Sequence, residues 1–339
     1  MSDPRFAMPA VPPPPPAADA VEPSPPAAGP PPRRRGLLVG ALALVVVLVA
    51  GAAAFVLTQG GDSAEAQPLA LAFTEGQSET FAIHQTMDGR VSSDLLGDMP
   101  LAMDVTQVMT WQVTSVTDDG TATIEVSVSE MSGTVNGMEI PAAATATPPI
   151  EIVVAPDGRV VSAGGLALGG AGQTQGFGFP GMGQLTPILP DDGEAVAPGD
   201  TWTKEFSQDF PFGEGTIEYT ATSTYERNET VNGREAAVIV TQMSVPMEFT
   251  MNFQDLIDSL GEDLGAAGAT GLDALSEARV AYSGQGDFTQ TSFVDLEAKE
   301  LLRMESSGAF DISMSFGGVP GFEGAMDFTG SFTQELERR

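Results

Sequence analysis

The sequence predicts a mainly β protein. A curved, half-barrel-like antiparallel sheet of two duplicated halves, with one short helical insertion, follows a transmembrane helix and a disordered proline-rich tail. Three observations predict this fold: apolar and polar residues alternate with a period of two beyond residue 68, Asp-Gly and Asn-Gly pairs separate the alternating runs, and one long uncharged apolar stretch lies near the N-terminus. A period of two sends successive side chains to opposite faces, so one face of the sheet is covered and the other is wet.

The N-terminal segment differs in composition from the rest of the chain. Residues 1–32 hold 13 of the 26 prolines and almost no large apolar side chain. Such a segment cannot bury enough apolar surface to fold, so residues 1–35 are predicted to form a disordered cytoplasmic tail with polyproline II stretches. Binding of the proline run to an SH3-like domain is the alternative interpretation.

A membrane-spanning helix is predicted for residues 36–58. Three arginines at 33–35 precede 22 residues without a charge, which at 1.5 Å per residue make about 33 Å of helix, enough to cross a bilayer. Since the arginines lie on the N-terminal side, the N-terminus is expected in the cytoplasm and the remainder outside, after a linker at residues 59–68. A cleaved signal peptide is the alternative, because Ala64-Glu65-Ala66 has the form of a cleavage site, although the apolar run is longer than such peptides use.

The remainder of the chain carries the strand and turn signals. The cleanest alternation runs from Met243 to Phe253, where every second residue is methionine, valine or phenylalanine. Asp119-Gly120, Asp157-Gly158 and Asn232-Gly233 lie between alternating runs, and such pairs tolerate the positive φ that tight hairpin turns require. Connections this short predict antiparallel neighbours.

The order of strands and turns recurs along the chain. This recurrence predicts a duplication, with a first β repeat at residues 69–163 and a second at residues 186–335. Between the repeats, residues 164–185 contain nine glycines and are predicted to be a connector.

One insertion, at residues 253–279, breaks the β pattern. Its apolar side chains fall at i, i+3, i+4, i+7 and i+11, the spacing of one helix face. These residues are Phe253, Leu256, Ile257, Leu260 and Leu264. The predicted helix either covers one end of the apolar sheet face permanently or acts as a movable lid over it.

Composition excludes several classes of function. Forty-six acidic residues against 14 basic ones give a net charge of −32, the wrong sign for nucleic acid. The absence of cysteine excludes disulfides, iron–sulfur clusters and thiol nucleophiles. The single histidine, His84, is predicted on the face opposite Phe81 and Ile83, with no identifiable catalytic partner. No catalytic residue, cofactor or metal ligand is predicted, and the chain is interpreted as non-enzymatic; a hydrolase that uses paired carboxylates stays open.

The large apolar residues are of an unusual kind. Eighteen phenylalanines and 15 methionines stand against three tyrosines and two tryptophans. Methionine adapts to irregular ligands, so a curved sheet lined with methionine and phenylalanine could hold an acyl chain; a solid sheet core is the alternative. The candidate apolar groove consists of Met103, Met109, Trp111, Met243, Met247, Phe249, Phe310 and Met314.

Four short motifs carry a resemblance. They are Pro198-Gly199-Asp200-Thr201-Trp202, Asp157-Gly158-Arg159-Val160-Val161, Asn232-Gly233-Arg234-Glu235-Ala236-Ala237 and the hairpin from Asp295 to Met304. Over residues 69–316 the chain resembles a family of duplicated, secreted or membrane-anchored bacterial cell-envelope β domains without an assigned function. In architecture it is more distantly similar to periplasmic lipoprotein carriers and mycobacterial lipid-carrying lipoproteins, whose half-barrel sheet and helices enclose an apolar cavity. Those lipoproteins carry an acylated cysteine, which this chain lacks.

Together these features predict a single-pass protein of the cytoplasmic membrane whose β part lies outside and binds an apolar, lipid or other envelope ligand. The expected partners are the membrane, through residues 36–58, and a lipid or an envelope protein, but not nucleic acid. The alternative function is a structural or protein-interaction module of the envelope with no small-molecule ligand.

Overall fold

The structure covers most of the region predicted to be β. The computed structural model describes residues 65–93, 97–140, 149–163, 166–167, 185–191, 193–209, 213–254, 278–318 and 324–339. The predicted tail (residues 1–35) and the predicted membrane helix (residues 36–58) lie outside these ranges. Within the described ranges, no helix has both the length and the apolar character needed to span a bilayer. We call the described residues from 65 to 339 the β module.

The described N-terminal part of the β module forms a succession of strands. Its strands are β1 (Gln67–Pro68), β2 (Ser78–Ser93), β3 (Gly97–Val116), β4 (Ala122–Val135), β5 (Met138–Glu139), β6 (Ile150–Val154), β7 (Val160–Ala163) and β8 (Leu166–Ala167). The long strands β2, β3 and β4 have alternating apolar and polar residues. Since successive side chains of a strand point to opposite faces, this alternation buries one face of each strand.

The described C-terminal part continues in the same way. Its strands are β9 (Ala195–Val196), β10 (Thr201–Asp209), β11 (Gly213–Glu214), β12 (Thr216–Val231), β13 (Arg234–Asn252), β14 (Arg279–Asp295), β15 (Leu301–Gly317) and β16 (Gly324–Arg338). Phe253 and Gln254 have helical geometry, and the rest of the predicted helical insertion, from residue 255 to 277, lies outside the described residues.

One antiparallel sheet unites both parts, as predicted. Its strand order is β10-β12-β13-β14-β15-β16-β2-β3-β4-β6-β7-β8, with β11 beside β13 and β5 beside β4. A separate two-stranded sheet pairs β1 with β9. The last strand, β16, pairs with the first long strand, β2, so the N-terminal and C-terminal parts share one continuous sheet.

The predicted hairpin turns are confirmed. Asn232 and Gly233 have φ values of 51° and 81°, so both central residues of the β12–β13 turn adopt the left-handed conformation of a type I′ hairpin. Gly120 and Gly158 each have a φ of 82° in the turns that follow β3 and β6. These turns lie at the same end of the sheet and fix the pairing of its neighbouring strands.

The sheet is strongly curved, as two pairs of contacts demonstrate. The N–H of Leu71 donates to the carbonyl of Pro156 (2.7 Å), and the N–H of the next residue, Ala72, donates to the carbonyl of Lys299 (2.9 Å). Pro156 follows β6 and Lys299 precedes β15, strands that would lie about 24 Å apart in a flat sheet with five spacings of about 4.8 Å. Consecutive residues are only about 3.8 Å apart, so the sheet must bend to bring these turns together.

The second pair of contacts joins the two sides of the sheet. Lys204 Nζ of β10 lies 2.5 Å from Asp157 Oδ2, in the turn between β6 and β7. In a flat sheet these positions would be about 43 Å apart. The segment at residues 185–191, which we call the strap, is buried from Thr186 to Pro190 and contacts the same turn. The N–H of Leu189 donates to the Asp157 carbonyl (3.0 Å).

Glycines on the concave inner face allow phenylalanine rings to lie along the sheet. A Cβ atom added to Gly308 would lie 2.4 Å from Cδ1 of Phe288, and one added to Gly286 would lie 2.2 Å from Cζ of the same ring. The Phe288 ring therefore lies over both glycines. At Gly330 an added Cβ would meet Cζ of Phe310 at 2.9 Å. This pairing of aromatic rings with strand glycines gives the inner face a smooth apolar surface.

We predict that Gly308→Ala destabilises the β module by about 1–3 kcal/mol, since the added methyl group overlaps the Phe288 ring and the backbone beneath it. Urea unfolding of the full chain, followed by the fluorescence of the buried Trp111 and Trp202, measures the effect. The control is Gly317→Ala in the same strand, where nothing lies within 4 Å of the added atom and the free energy of unfolding should change by less than about 0.5 kcal/mol. Equal effects of the two substitutions would contradict the packing of Phe288 on Gly308.

Candidate functional site

The inner face of the sheet is divided along the strand direction into three zones. One end is closed by an N-terminal segment and is called the capped end. A row of polar side chains, the polar row, crosses the middle. The zone beyond the row is rich in methionine and phenylalanine and is called the Met/Phe half. These zones differ in what they can bind, so each is described in turn.

The capped end is closed by residues 69–73. Leu69 and Leu71 are buried there, in the same apolar cluster as Phe81 and Trp111. The Phe81 and Trp111 rings pack with their centroids 5.0 Å apart. Because the two backbone hydrogen bonds of Leu71 and Ala72 fix this segment to turns on both sides of the concave face, the segment acts as a fixed cover.

Beside the cover lies a network of ion pairs centred on Glu300. Arg234 Nη2 lies 2.7 Å from Glu300 Oε2, and Arg338 contacts the same oxygen. Gln77 Nε2 donates to Oε1 of Glu300 (3.0 Å) and to Oε1 of Glu79 (2.6 Å). Arg338 also pairs with Glu79, at 3.2 Å. The network therefore links β2, β13 and β16 to the turn before β15.

The carboxylates near this network have shifted pKa values. Burial acts to raise the pKa of Glu300, but hydrogen bonds from Arg234 and Arg338 outweigh it and lower the pKa. At Asp295 burial is again outweighed, here by the backbone N–H groups of residues 297 and 298 and by Arg234, so its pKa is also lowered. At Glu79 burial prevails over the attraction of Arg338, and the pKa is raised.

Glu79 and Glu300 are the pair of neighbouring carboxylates that a hydrolase would need, but the space beside them is small. The cavity that they line, together with Phe73 and Trp111, has a volume of about 20 Å³. That volume holds about one water molecule and no sugar unit. We therefore interpret this pair as a structural junction. His84 lies on the outer face, as predicted, half-exposed, with Nε2 3.0 Å from Asp104 Oδ1.

The polar row crosses six neighbouring strands of the inner face. In register order it consists of Ser223, Thr241, Gln290, Ser306, Gln334 and Gln85, each directly opposite the next across a strand pair. Five of the six are buried, with exposed fractions from 0% at Ser223 to 7% at Ser306. A continuous row of polar side chains inside an apolar sheet face is costly unless each group has a hydrogen-bond partner.

Part of the row is satisfied by its own members. The hydroxyls of Ser223 and Thr241 lie 2.8 Å apart. Gln85 Nε2 donates to Gln334 Oε1 (2.7 Å). The strap contributes one partner, since Gln290 Nε2 donates to the backbone carbonyl of Thr186 (3.1 Å).

Other atoms of the row are buried without a partner. Within the described part of the chain, Gln290 Oε1 and Ser306 Oγ are buried and make no hydrogen bond. Trp202 Nε1 is a third such atom, and Trp202 lies directly opposite Ser223 on the edge strand β10. Buried polar atoms of this kind are rare in folded proteins, so each one calls for an explanation, such as contact with a polar group of a ligand or with a water molecule.

The Met/Phe half lies beyond the row and brings five of the eight predicted groove residues together. Met243, Met247, Phe249 and Phe310 belong to one buried apolar cluster, and Met314 packs against it, partly exposed. The aromatic rings of this half are paired. Phe206 stacks on Tyr219, Phe249 stacks on Tyr282, and Phe288 contacts Phe332.

The other three predicted groove residues do not belong to this cluster. Met109 and Trp111 belong to the apolar cluster of the capped end, where Trp111 Nε1 contacts Met109 Sδ at 3.1 Å. Met103 is partly buried and lies directly opposite Met87, which packs against the Met/Phe half. Thus seven of the eight residues are divided between two clusters and do not form a single surface.

The predicted lid is described at one residue only. Phe253 is partly buried, and its N–H donates to the carbonyl of Ala278 (3.1 Å). Leu256, Ile257, Leu260 and Leu264 lie outside the described residues. The strands of the Met/Phe half end at Ser93, Asn252 and Gly317, and residues outside the description begin within three positions of each end.

The polar row and the strap were not predicted from the sequence. Each strand of the row carries a polar residue at an apolar position, as Thr241 does between Ile239 and Met243. Each polar residue can be seen in the sequence of its own strand. That the six lie side by side in one row follows only from the register of the strands. The strap has few apolar residues from Leu185 to Pro190, and its two prolines are unfavourable in a strand, so no sequence pattern marks it.

We predict that Glu300→Gln lowers the free energy of unfolding at pH 7 by about 1.5–3 kcal/mol, since it weakens hydrogen bonds to two arginines. A carboxylate with a lowered folded-state pKa stabilises fully above its unfolded pKa and loses that contribution as the pH falls through the folded value. The gap between wild type and variant should therefore narrow below about pH 4. Urea unfolding over a pH series measures the gap.

The matched control for this prediction is Glu305→Gln, which removes an exposed partner of Arg303 and should cost less than about 1 kcal/mol. Glu79 acts in the opposite sense, because its pKa is raised and its protonation on acidification favours the folded state. A gap between wild type and Glu300→Gln that stays constant with pH would contradict the role of Glu300 ionisation.

Comparisons with known proteins give no family. No protein-family model matches the sequence, and a search of curated proteins gives no match. Among solved structures, a chain from a Salmonella typhi OmpF complex with daunomycin is similar at a TM-score of 0.21, with 7% sequence identity over 76% of this chain and 98% of that chain. A TM-score this low carries no argument about the fold or the function of the β module.

Proposed function

We propose that this chain is a single-pass, membrane-anchored protein of the bacterial cell envelope. Residues 36–58 would anchor it in the cytoplasmic membrane, with the tail at residues 1–35 inside and the β module outside. In this proposal the module binds an apolar ligand such as a lipid and catalyses no reaction. The arginines at 33–35 and the uncharged run that follows support the location and orientation.

The observation that carries the ligand proposal is the surface of the Met/Phe half. Methionine side chains and flat phenylalanine rings line a concave face, and several of them, including Met314 and Phe328, are only partly buried. Adaptable thioether and aromatic surfaces in a concavity suit alkyl chains of varied shape. The resemblance to envelope β domains and to lipid-carrying lipoproteins supports the same assignment.

A second function, a structural or protein-interaction module, has one observation in its favour. The capped end is solidly packed, and the cavity beside it holds only about 20 Å³. A module packed in this way throughout would present its outer face to a protein partner and would need no small-molecule ligand. The two functions differ in whether an apolar molecule reaches the inner face.

The proposed location predicts that a protease added to intact cells expressing the full chain removes the β module. A fragment that contains the tail and the membrane helix should stay with the cells, and a cytoplasmic marker should stay intact. Replacing the arginines, as Arg33→Glu, Arg34→Glu and Arg35→Glu together, removes the charge bias and should leave a fraction of the modules protected. Complete protection of the wild-type module in intact cells, with digestion after lysis, would overturn the proposed orientation.

The proposed ligand predicts where a photoreactive alkyl probe attaches. The full chain in lipid nanodiscs is irradiated with a diazirine-bearing fatty alcohol, and the adducts are mapped by mass spectrometry. We expect adducts in peptides that carry Met247, Phe288 and Met314. A small apolar cluster on the outer face, which includes Phe293 and Leu302, is the internal control for unspecific attachment. Adducts confined to residues 36–58 would contradict ligand binding by the module and favour the structural function.

A further inference from the structure

We infer that the polar row recognises the hydroxyl group of an uncharged amphiphile whose alkyl chain lies in the Met/Phe half. The inference rests on the proposed function and adds the chemical class of the ligand. It is carried by two buried polar atoms, Gln290 Oε1 and Ser306 Oγ, which have no hydrogen-bond partner within the described part of the chain.

The hydrogen bonds of Gln290 fix which atom it offers to a ligand. Its Nε2 donates both hydrogens, one to the Thr186 carbonyl (3.1 Å) and one to Ser292 Oγ (2.9 Å). A flipped amide would place its carbonyl oxygen against the Thr186 carbonyl, so the network sets the orientation. The remaining atom, Oε1, is an acceptor, and Gln290 is 1% exposed. A ligand at this point must therefore supply a hydrogen.

Ser306 supplies the complementary group. It lies directly opposite Gln290 in the β14–β15 register, on the same face, and is 7% exposed. Residues paired in this way have Cβ atoms about 5 Å apart, so one small group can contact both side chains. A hydroxyl donates to Gln290 Oε1 and accepts from the Ser306 hydroxyl, which satisfies both orphaned atoms at once.

The charges around the row favour an uncharged ligand group. No ionised side chain belongs to the row, and an anionic oxygen would meet the acceptor Gln290 Oε1. Lys204, on the edge strand β10, is already paired with Asp157 and Asp191. Residues 59–339 hold 43 acidic and 10 basic residues, so the field of the whole module also repels anions.

The next rows of the inner face give the direction of the alkyl chain. Phe288, Gly308 and Phe332 lie opposite one another in the first row of the Met/Phe half beside Gln290 and Ser306. The Phe288 ring lies over Gly308, and Ile312 and Met314 follow along β15 on the same face. In the opposite direction the capped end is filled by Leu69 and Leu71. A chain attached to the hydroxyl therefore extends toward the Met/Phe half.

Two serines of the same row provide a matched pair of variants. Ser306 has an orphaned hydroxyl, whereas the hydroxyl of Ser223 is paired with Thr241 at 2.8 Å. Removing an unpaired buried hydroxyl should not reduce the stability of the ligand-free protein, but removing a paired one should, because its partner is left unsatisfied. Ser306→Ala and Ser223→Ala therefore separate recognition from structural support.

The experiment uses three photoreactive probes with the same alkyl chain: a fatty alcohol, a fatty acid and an alkane. Each is added to the full chain in nanodiscs, and the adducts on inner-face peptides are counted, together with the urea midpoint of the probe-free protein. We expect the alcohol to label about three- to tenfold more than the alkane and the acid, the ratio given by one neutral hydrogen bond. Ser306→Ala should weaken this preference, because Gln290 Oε1 is then the remaining partner of the hydroxyl, and it should not lower the midpoint. Ser223→Ala should lower the midpoint and keep the preference.

Each contrary outcome has its own meaning. Equal labelling of the inner face by alcohol and alkane overturns the recognition of a hydroxyl but leaves the apolar-ligand function standing. Preference for the acid overturns the neutral ligand class. Absence of inner-face labelling by all three probes overturns the proposed function itself. A lowered midpoint with an unchanged preference in Ser306→Ala assigns Ser306 to structure alone, and the wild-type probe ratio decides the inference even where that variant does not fold.

Discussion

The pairing of the last strand with the first long strand is the interaction on which the rest of the β module depends. Thirteen residue pairs join Met326–Arg338 of β16 to Phe81–Ser93 of β2. Closing so long a loop costs more entropy than any hairpin in the sheet, where neighbours follow closely in the chain. The pairing of β16 with β2 joins two antiparallel meanders into one sheet with a common concave face. The core of the capped end, the polar row through Gln334 and Gln85, and the ion pair of Arg338 with Glu79 all cross this junction.

Three of the few cations, Arg234, Arg338 and Lys204, form ion pairs at these junctions. Residues 59–339 hold 43 acidic and 10 basic residues, and the repulsion among like charges opposes any compact state. Arg234 and Arg338 neutralise the carboxylates at the seam between the two parts, and Lys204 does so where the strap meets the sheet edge. Partly buried pairs of this kind are screened less by salt than exposed ones. The module thus keeps a solvated acidic outer surface while its interior contacts stay attractive.

The sequence was informative about local structure and uninformative about alignment between strands. Alternation from Met243 to Phe253 and the Asn232-Gly233 pair predicted a strand and a turn correctly, because both depend on residues close in the chain. Met109 and Met247 were placed correctly on the inner face by the same parity. Their separation into two clusters was not predictable, since it depends on the register of strands far apart in sequence and on the cover at residues 69–73. The strap escaped prediction because its burial comes from tertiary contacts, such as Pro187 against Gly158.

The polar row raises the question of why buried polar atoms without hydrogen-bond partners occur on an apolar sheet face. An apolar side chain at Ser306 would remove an unsatisfied atom, so for stability alone it is the better choice there. At Gln290 it would remove a second unsatisfied atom but would leave the Thr186 carbonyl and the Ser292 hydroxyl without their donor. Ser223 and Thr241, on the same row, satisfy each other and need no such explanation. The contrast between satisfied and orphaned members of one row is the basis for the inferred contact between the orphaned members and a ligand hydroxyl. Sites that bind a ligand commonly give up stability in this way, and the row lies where an alkyl chain in the Met/Phe half would begin.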